Sequence, residues 1–484
     1  MVAITMIDGY KLDHRRQYPD GTQYVYSNWT PRGSRLPEVK EVVFVGLQYF
    51  LEKYLEEEFG KFFAADVDEV CDKYQRRIDS YLGPNEIGTE HIRALHELGY
   101  LPLEFKALPE GTLTPLRVPM LTVENTHPDF AWLVNYLETI MSCTLWVPMT
   151  SATIAKRFRG LLEDYAEKTG SPKEFVDWQG HDFSFRGMGG YEDAQMSGMG
   201  HLTQFTGTDT IPAIEFVEDY YGSKEMIGGS VAATEHSVMC AGGEDDEYDT
   251  FKRLLGKYPY GILSVVSDTW DLWKVLTQIV PSLYNEIMER DGKLVIRPDS
   301  GDPSDILCGD PNAPVGSPAY KGVVELLWDI FRGSITETGH KLLDSHIGVI
   351  YGDAINFERA QDILARLEAK GFASANVVFG MGSYGYQYQT RDTFGFAMKA
   401  TNVVINGVEK PIFKDPVTDN GTKKSLKGRL GVYWKNNIEG GSLVALDEIT
   451  DQEQLDASLL TTVWKDGKFV KRYTFDEVRA NARA

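Results

Sequence analysis

Along much of this chain, apolar residues come in short runs that stop abruptly at an acid or a glycine. Residues 293–296 (Lys-Leu-Val-Ile) run into Arg297-Pro298-Asp299-Ser300-Gly301, 261–266 into Ser267-Asp268, 346–351 into Gly352-Asp353, and 376–379 into Gly380-Met381-Gly382-Ser383. Runs of four to six apolar residues have the length of buried strands and are too short for helices. Between the last two lies a different rhythm. Phe357, Ala360, Ile363, Leu364 and Leu367 recur at helical spacing, with Asn356 as N-cap and Gly371 as stop. The pattern predicts a β-α-β unit and, with its repeats, a parallel α/β barrel or open sheet whose functional residues gather at the carboxyl ends of the strands.

The earlier part of the chain predicts a strand at 24–27, an amphipathic helix over 42–63, strands at 101–106 and 119–123 around a turn at 109–112, and a helix over 130–146. A second helix over 152–169 ends at Gly170 and opens the β-α part of the chain. Residues 181–190 read as a polar, glycine-rich loop. A strand over 202–205 precedes Gly207-Thr208-Asp209, and another over 231–234 precedes Glu235-His236-Ser237. Segment 307–322, with three prolines and three glycines, reads as a surface insertion. The tail predicts hairpins around Asn406-Gly407 and Asp466-Gly467, then a helix from Thr474 with Glu477 completing a capping box. A β-rich tail paired with early strands implies a second domain from both chain ends, 1–149 plus 392–484, around an α/β barrel domain over 150–391.

A length of 484 residues suits two or three domains. The formal net charge of −22 argues against nucleic-acid or anionic-membrane surfaces, so an anionic substrate requires a local basic pocket. Cys71, Cys143, Cys240 and Cys308 are far apart and match neither a zinc ribbon nor a disulfide framework. The apolar run before Asp8 is too short for a signal peptide, and no run is long enough to span a bilayer. The expectation is a soluble, cytoplasmic protein.

The strand-end residues carry the chemistry. Arg297 offers a planar fork of donors for an anion or carbonyl, and Asp299 two acceptors for hydroxyls or a hydrated metal. Arg186 suits a phosphate, and Phe183 a planar ring, among glycines that permit close backbone approach. The same residues also fit a bland reading, with Phe183 in the core, the glycines as a turn, and Arg297 and Asp299 tying down a loop. His236, beside Glu235, suits proton or phosphoryl chemistry. Arg32 and Arg35 on an early loop, and Lys414, Lys423, Lys424, Lys427 and Arg429 in the tail, form basic elements suited to polyphosphate or to solvent.

Taken together, His181-Asp182-Phe183, Gly207-Thr208-Asp209, Glu235-His236-Ser237, Ser267-Asp268, Arg297-Pro298-Asp299, Gly352-Asp353 and Phe413-Lys414-Asp415-Pro416 resemble the nicotinamide phosphoribosyltransferases, in order from Asp8-Gly9-Tyr10-Lys11 to the last helix. The resemblance implies the type II phosphoribosyltransferase fold: an irregular parallel α/β barrel with a β-rich α+β domain, in a homodimer with shared active sites. It implies transfer of phosphoribose from 5-phosphoribosyl pyrophosphate to nicotinamide in NAD salvage, with Mg2+ and with ATP spent through a phosphohistidine. Carried over by motif, Phe183 stacks on nicotinamide and Tyr10 of the other subunit covers its second face. Asp209 accepts from the carboxamide NH2 and Arg297 donates to its oxygen. Asp299, Gly352 and Asp353 hold the ribose, Gly382 and Ser383 lie near the nucleotide phosphate, and Arg186, Arg391, Lys399, Arg32, Lys414 and Lys423 meet phosphate or pyrophosphate. His236 is the phosphorylated histidine, oriented by Glu235 and Asp268, and the metal ligands stay unassigned. Ser383 and Tyr384 interrupt a loop that in the family is more often a run of glycines. The alternatives are a nicotinate phosphoribosyltransferase, which a cation in place of Asp209 would favour, a silent dimeric homologue, and an unrelated barrel such as an aldolase, for which a strand-borne lysine or a histidine cluster is wanting.

Overall fold

The computed structural model describes residues 3–419, 421, 423–437 and 440–484. They form two compact units: 3–153 with 215–225 and 389–484, and 154–214 with 226–388.

The first unit is built on a seven-stranded antiparallel sheet in the order Val408–Pro411, Phe396–Ile405, Thr22–Pro31, Leu121–Asn125, Leu103–Ala107, Thr461–Lys465, Lys468–Phe469. Both hairpins expected in the tail are present. Asn406 and Gly407 have φ of 51° and 74°, and Asp466 and Gly467 46° and 82°, the left-handed pair that a two-residue turn requires. The capping box at Thr474 and Glu477 also forms, opening helix Phe475–Arg483. One buried carboxylate ties this unit together. Glu110 accepts from the backbone N–H of Gly46 and Gln48, at 2.8 and 2.6 Å, and from the Tyr221 hydroxyl at 2.9 Å, thereby fastening segment 215–225.

Two helices differ from expectation here. Val42 and Val43 belong to the short strand Glu41–Val43, paired with Leu113–Pro115, and the helix starts only at Leu47 because Gly46 takes φ of 100°. The expected 130–146 and 152–169 helices are largely one element, Glu138–Thr169, with Pro148 inside it. Proline removes one backbone donor and normally ends a helix. This one seats its ring where a Cβ at Gly46 would lie, 2.7 Å away, so packing holds the helix through the defect.

The second unit is a curled sheet of seven parallel strands in the order Gly207–Thr208, Gly180–Asp182, Val377–Met381, Ile347–Tyr351, Asp291–Arg297, Tyr260–Val266, Ala232–Ala233. The edge strand Gly207–Thr208 makes a parallel bridge to Gly229, just ahead of the other edge strand. The expected buried strand alternates between two faces: Leu294 and Ile296 are fully buried, whereas Lys293, Val295 and Arg297 share the other, half-buried face. Helix Phe357–Ala369 follows its strand, capped by the Asn356 side chain. The 202–205 strand is absent. Leu202 closes helix Tyr191–Leu202, whose Met196, Met199 and Leu202 bury one face, and the strand is only Gly207–Thr208. The 181–190 loop likewise begins as strand Gly180–Asp182. Among the described residues no helix is long and apolar enough to cross a membrane.

Candidate active site

All seven strands of the second unit run the same way, so their carboxyl ends deliver side chains to one rim. Phe183 lies just past Gly180–Asp182, its N–H donating to the Met381 carbonyl at 3.0 Å. Its ring rests on two neighbouring strand ends that have no side chain. A Cβ on Gly352 would fall 2.7 Å from the ring, and one on Gly380 2.3 Å. Glycine is required there for close approach, not for a turn. Gly352→Ala is therefore expected to displace the phenyl ring and raise KM for a stacked planar substrate about tenfold or more, read from initial rates; an unchanged KM removes Phe183 from the binding surface.

Around that ring the charges are paired. The Arg297 guanidinium carbon stands 5.0 Å from the Phe183 centroid and its Nη2 3.7 Å from Asp299 Oδ2, while its buried Nε has no partner among the described residues. Asp209 Oδ1 accepts from His181 Nε2 at 2.9 Å and Ser230 Oγ at 2.7 Å. Burial pushes the Asp209 carboxyl up, but the His181 bond and charge, the Ser230 bond and Arg297 together outweigh it, so Asp209 is held below the ordinary aspartate value. Asp299 goes the other way. Burial is the largest cause, Arg297 opposes it, and Asp268 and Asp353 reinforce it, so its pKa is raised.

Asp268 organises the segment after Arg297: its Oδ2 accepts from the Asp299 N–H at 2.9 Å and the Ser300 hydroxyl at 2.6 Å, and its buried Oδ1 has no partner among the described residues. The Tyr351 hydroxyl donates to the Gly301 carbonyl at 3.0 Å, and burial, then Asp353, Asp299, Asp268 and Asp302, drive its phenol up. Just past Asp353, Ala354 adopts φ of 53°, a left-handed conformation that costs a non-glycine residue roughly 1 kcal/mol. His236 is exposed, its Nδ1 3.2 Å from Thr269 Oγ1, and Glu235 accepts from the Ser237 hydroxyl. At Val377–Met381, Gly382 leads into the short helix Ser383–Tyr386. Ser383 packs where a Gly187 side chain would be, joining that loop to the turn bearing Arg186. Tyr384 turns outward to stack on Tyr388, ring centroids 4.9 Å apart.

The remaining sequence-selected cations belong to the first unit. Arg32 and Lys399 line a cavity of about 230 Å3 together with Arg117 and Lys424. Burial lowers the Lys399 pKa; Glu138 opposes this, and Arg32, Lys414 and Arg391 add to it, so these cations converge. Lys423 does not line the cavity, and its backbone N–H donates to Asp419. Tyr10 is exposed, with its hydroxyl 3.4 Å from Asp8 Oδ2. Sequence reasoning missed Arg117 and Ser230. Arg117 is positioned by a backbone φ of 71°, which no residue type signals, and Ser230 by the bridge that Gly229 makes to Gly207, a residue far from it in sequence.

The nicotinate phosphoribosyltransferase (NAPRTase) family model matches residues 178–468, and the nicotinamide phosphoribosyltransferase N-terminal domain model residues 2–105. The chain is 51% identical to the nicotinamide phosphoribosyltransferase of Acinetobacter baylyi, across 98% of this chain and 96% of that one. It is 36% identical to the enzyme of the same name from Mycoplasma pneumoniae, across 87% and 94%. Its fold is that of the crystal structures of nicotinate-nucleotide pyrophosphorylase from Pyrococcus furiosus (TM-score 0.61, 16% identity, 99% and 94% covered) and human nicotinic acid phosphoribosyltransferase (0.57, 16%, 98% and 92%), a likeness of architecture alone. Matched along almost its entire length at that level of identity, the chain belongs to the nicotinamide phosphoribosyltransferases, enzymes of the type II phosphoribosyltransferase family.

Proposed function

We propose that this chain joins nicotinamide to the phosphoribosyl group of 5-phosphoribosyl pyrophosphate, giving nicotinamide mononucleotide and pyrophosphate for NAD salvage. The observation that carries the choice of base is the pairing of a carboxylate kept ionised, Asp209, with a cationic donor, Arg297, about the Phe183 ring. A carboxamide has an NH2 to give and an oxygen to receive; a carboxylate meets Asp209 with like charge.

The ring nitrogen of nicotinamide attacks with its own lone pair, so no base need remove a proton. As the C1′–N bond forms, the C1′–O bond breaks and its electrons leave with pyrophosphate. Positive charge grows on the sugar and negative charge on the leaving group, which calls for acceptors at the ribose and cations at the phosphates. Asp299, Gly352 and Asp353 suit the first task, Gly382, Ser383 and Arg186 the nucleotide phosphate, and Arg32, Arg391, Lys399, Lys414 and Lys423 phosphate or pyrophosphate. In a homodimer, Tyr10 of the partner subunit would cover the second face of the base. Among the described residues no three histidines, cysteines or acids form a ready metal cage. Magnesium usually arrives on substrate phosphates with one or two carboxylates added, a role Asp299 and Asp353 fit, and it would neutralise the departing pyrophosphate.

The test is product formation from 5-phosphoribosyl pyrophosphate and Mg2+ with either nicotinamide or nicotinate; product from nicotinate alone overturns the proposed base. Because burial raises Asp299, its acceptor form is lost as pH falls through a value higher than that of an ordinary aspartate, whereas Asp209 stays ionised to lower pH. The acid limb of kcat/KM for 5-phosphoribosyl pyrophosphate is therefore expected at higher pH than the limb for nicotinamide, and Asp299→Asn should flatten it. Coincident limbs would contradict the assignment. ATP coupling is read the same way. His236, aided by Glu235 and Asp268, accepts the γ-phosphoryl group while ADP leaves, so His236→Ala is expected to abolish stimulation by ATP together with acid-labile phosphate on the protein. Stimulation that survives in the variant places the phosphoryl acceptor elsewhere.

A further inference from the structure

Asp209 is held from one side only. His181 Nε2 and Ser230 Oγ both bond the same oxygen, Oδ1, at 2.9 and 2.7 Å. With Asp209 ionised, Nε2 must be the donor, which fixes the histidine tautomer. The imidazole itself has little room. It is 8% exposed, its centroid lies 4.9 Å from that of Phe183 at a tilt of 59°, and a Cβ on Gly207 would stand 2.6 Å from Nδ1. His181 and Gly207 are also paired directly in adjacent parallel strands. The imidazole donor thus sits on the sheet itself, while the Ser230 hydroxyl reaches the same oxygen from the segment after Gly229, where the sheet edge is bridged.

We propose that His181 is a specificity-determining positioning residue, acting through Asp209: by pinning Oδ1 it turns Oδ2 towards the base as an acceptor fit for an amide and unfit for a carboxylate. This rests on the base pocket proposed above. A carboxylate free to rotate would present either oxygen, and one without its donor would protonate more readily in this half-buried site, becoming a donor that nicotinate can accept. Among the described residues the groups facing Asp209 are His181 on the neighbouring strand, Ser230 on the approaching segment and the Arg297 cation, and of these His181 supplies the donor held in the sheet.

The experiment compares kcat/KM for nicotinamide and nicotinate, and KM for 5-phosphoribosyl pyrophosphate, in the wild type, His181→Phe, His181→Gln and Gly207→Ala. His181→Phe keeps a ring and removes the donor; Gln can place an N–H where Nε2 was; Gly207→Ala displaces the imidazole without removing it. A hydrogen bond to a charged group is worth about tenfold to a hundredfold. The Phe variant is expected to lose roughly that much of the nicotinamide preference, through KM for the base, with its acid limb moved to higher pH. Gln should restore most of the preference, and Gly207→Ala should reproduce part of the loss, leaving KM for 5-phosphoribosyl pyrophosphate unchanged in all three. An unchanged preference in both the Phe and the Ala variants overturns the inference, as does a loss spread equally over both substrates. A wild type that makes no product from nicotinamide instead overturns the proposed function on which it stands.

Discussion

Arg297→Ala is expected to lower kcat/KM for nicotinamide roughly 10²- to 10³-fold, about 3–4 kcal/mol. Two losses combine in that figure. On the proposed binding mode the substrate loses its donor to the carboxamide oxygen, and the protein loses the guanidinium 3.7 Å from Asp299, whose pKa burial, Asp268 and Asp353 already push up. Removing one partner of a desolvated pair costs more than the pair contributes, because the remaining charge is left uncompensated. Asp299 would then protonate at still higher pH and fail as a hydroxyl acceptor, so KM for 5-phosphoribosyl pyrophosphate should rise too. Arg297→Lys separates the two losses. It retains a charge but not the planar fork, nor the same fit against the Phe183 face, so it should recover 5-phosphoribosyl pyrophosphate binding more fully than nicotinamide binding. Steady-state kinetics with each substrate varied in turn will show this, and a change below about threefold in the alanine variant would remove Arg297 from both roles.

The second large effect concerns choice rather than rate. Asp209→Asn is expected to cut the nicotinamide-to-nicotinate ratio of kcat/KM by about a hundredfold or more. Asparagine keeps an oxygen for His181 and Ser230, but the repelling charge is gone and an NH2 appears that a carboxylate can accept. The loss should be two-sided, with nicotinamide becoming poorer and nicotinate better. A competition assay with both bases present measures the ratio directly, and a preserved ratio would refute the electrostatic basis of selection.

The strand ends were legible because a buried run that breaks into polar residues leaves a local trace: Arg297, Asp268, Gly352 and Gly382 were all read from such breaks, and they do sit at carboxyl ends of parallel strands. The Asn406-Gly407 and Asp466-Gly467 turns and the Thr474 cap were equally local. What was not legible depends on distant partners. Strands of two or three residues, such as Gly207–Thr208, have no period to detect, and their pairing is decided by neighbours far along the chain. Helix Glu138–Thr169 survives its proline through packing at Gly46, about which the flanking sequence says nothing. Nor does any composition shift mark 215–225 as belonging with the first unit; the buried Glu110 to Tyr221 bond does that. At the site, Ser230 was overlooked because its role is to meet Asp209 across a sheet edge, a relation that exists only after the sheet curls.

The antiparallel sheet of the first unit has a temporal consequence. Strand Thr22–Pro31 lies beside Phe396–Ile405, and Asn28 bonds the carbonyl of Lys399, 371 residues later. During synthesis the early strands must wait for most of the chain to emerge before one edge is covered, and Leu103–Ala107 waits longer still for Thr461–Lys465. Through that interval they present open, apolar-backed edges of the kind that aggregate, while the intervening β-α units have their own near neighbours to pair with. Chains stopped short of residue 396 should therefore be captured by holding chaperones, and refolding of the full chain should show a slow phase set by the meeting of its two ends.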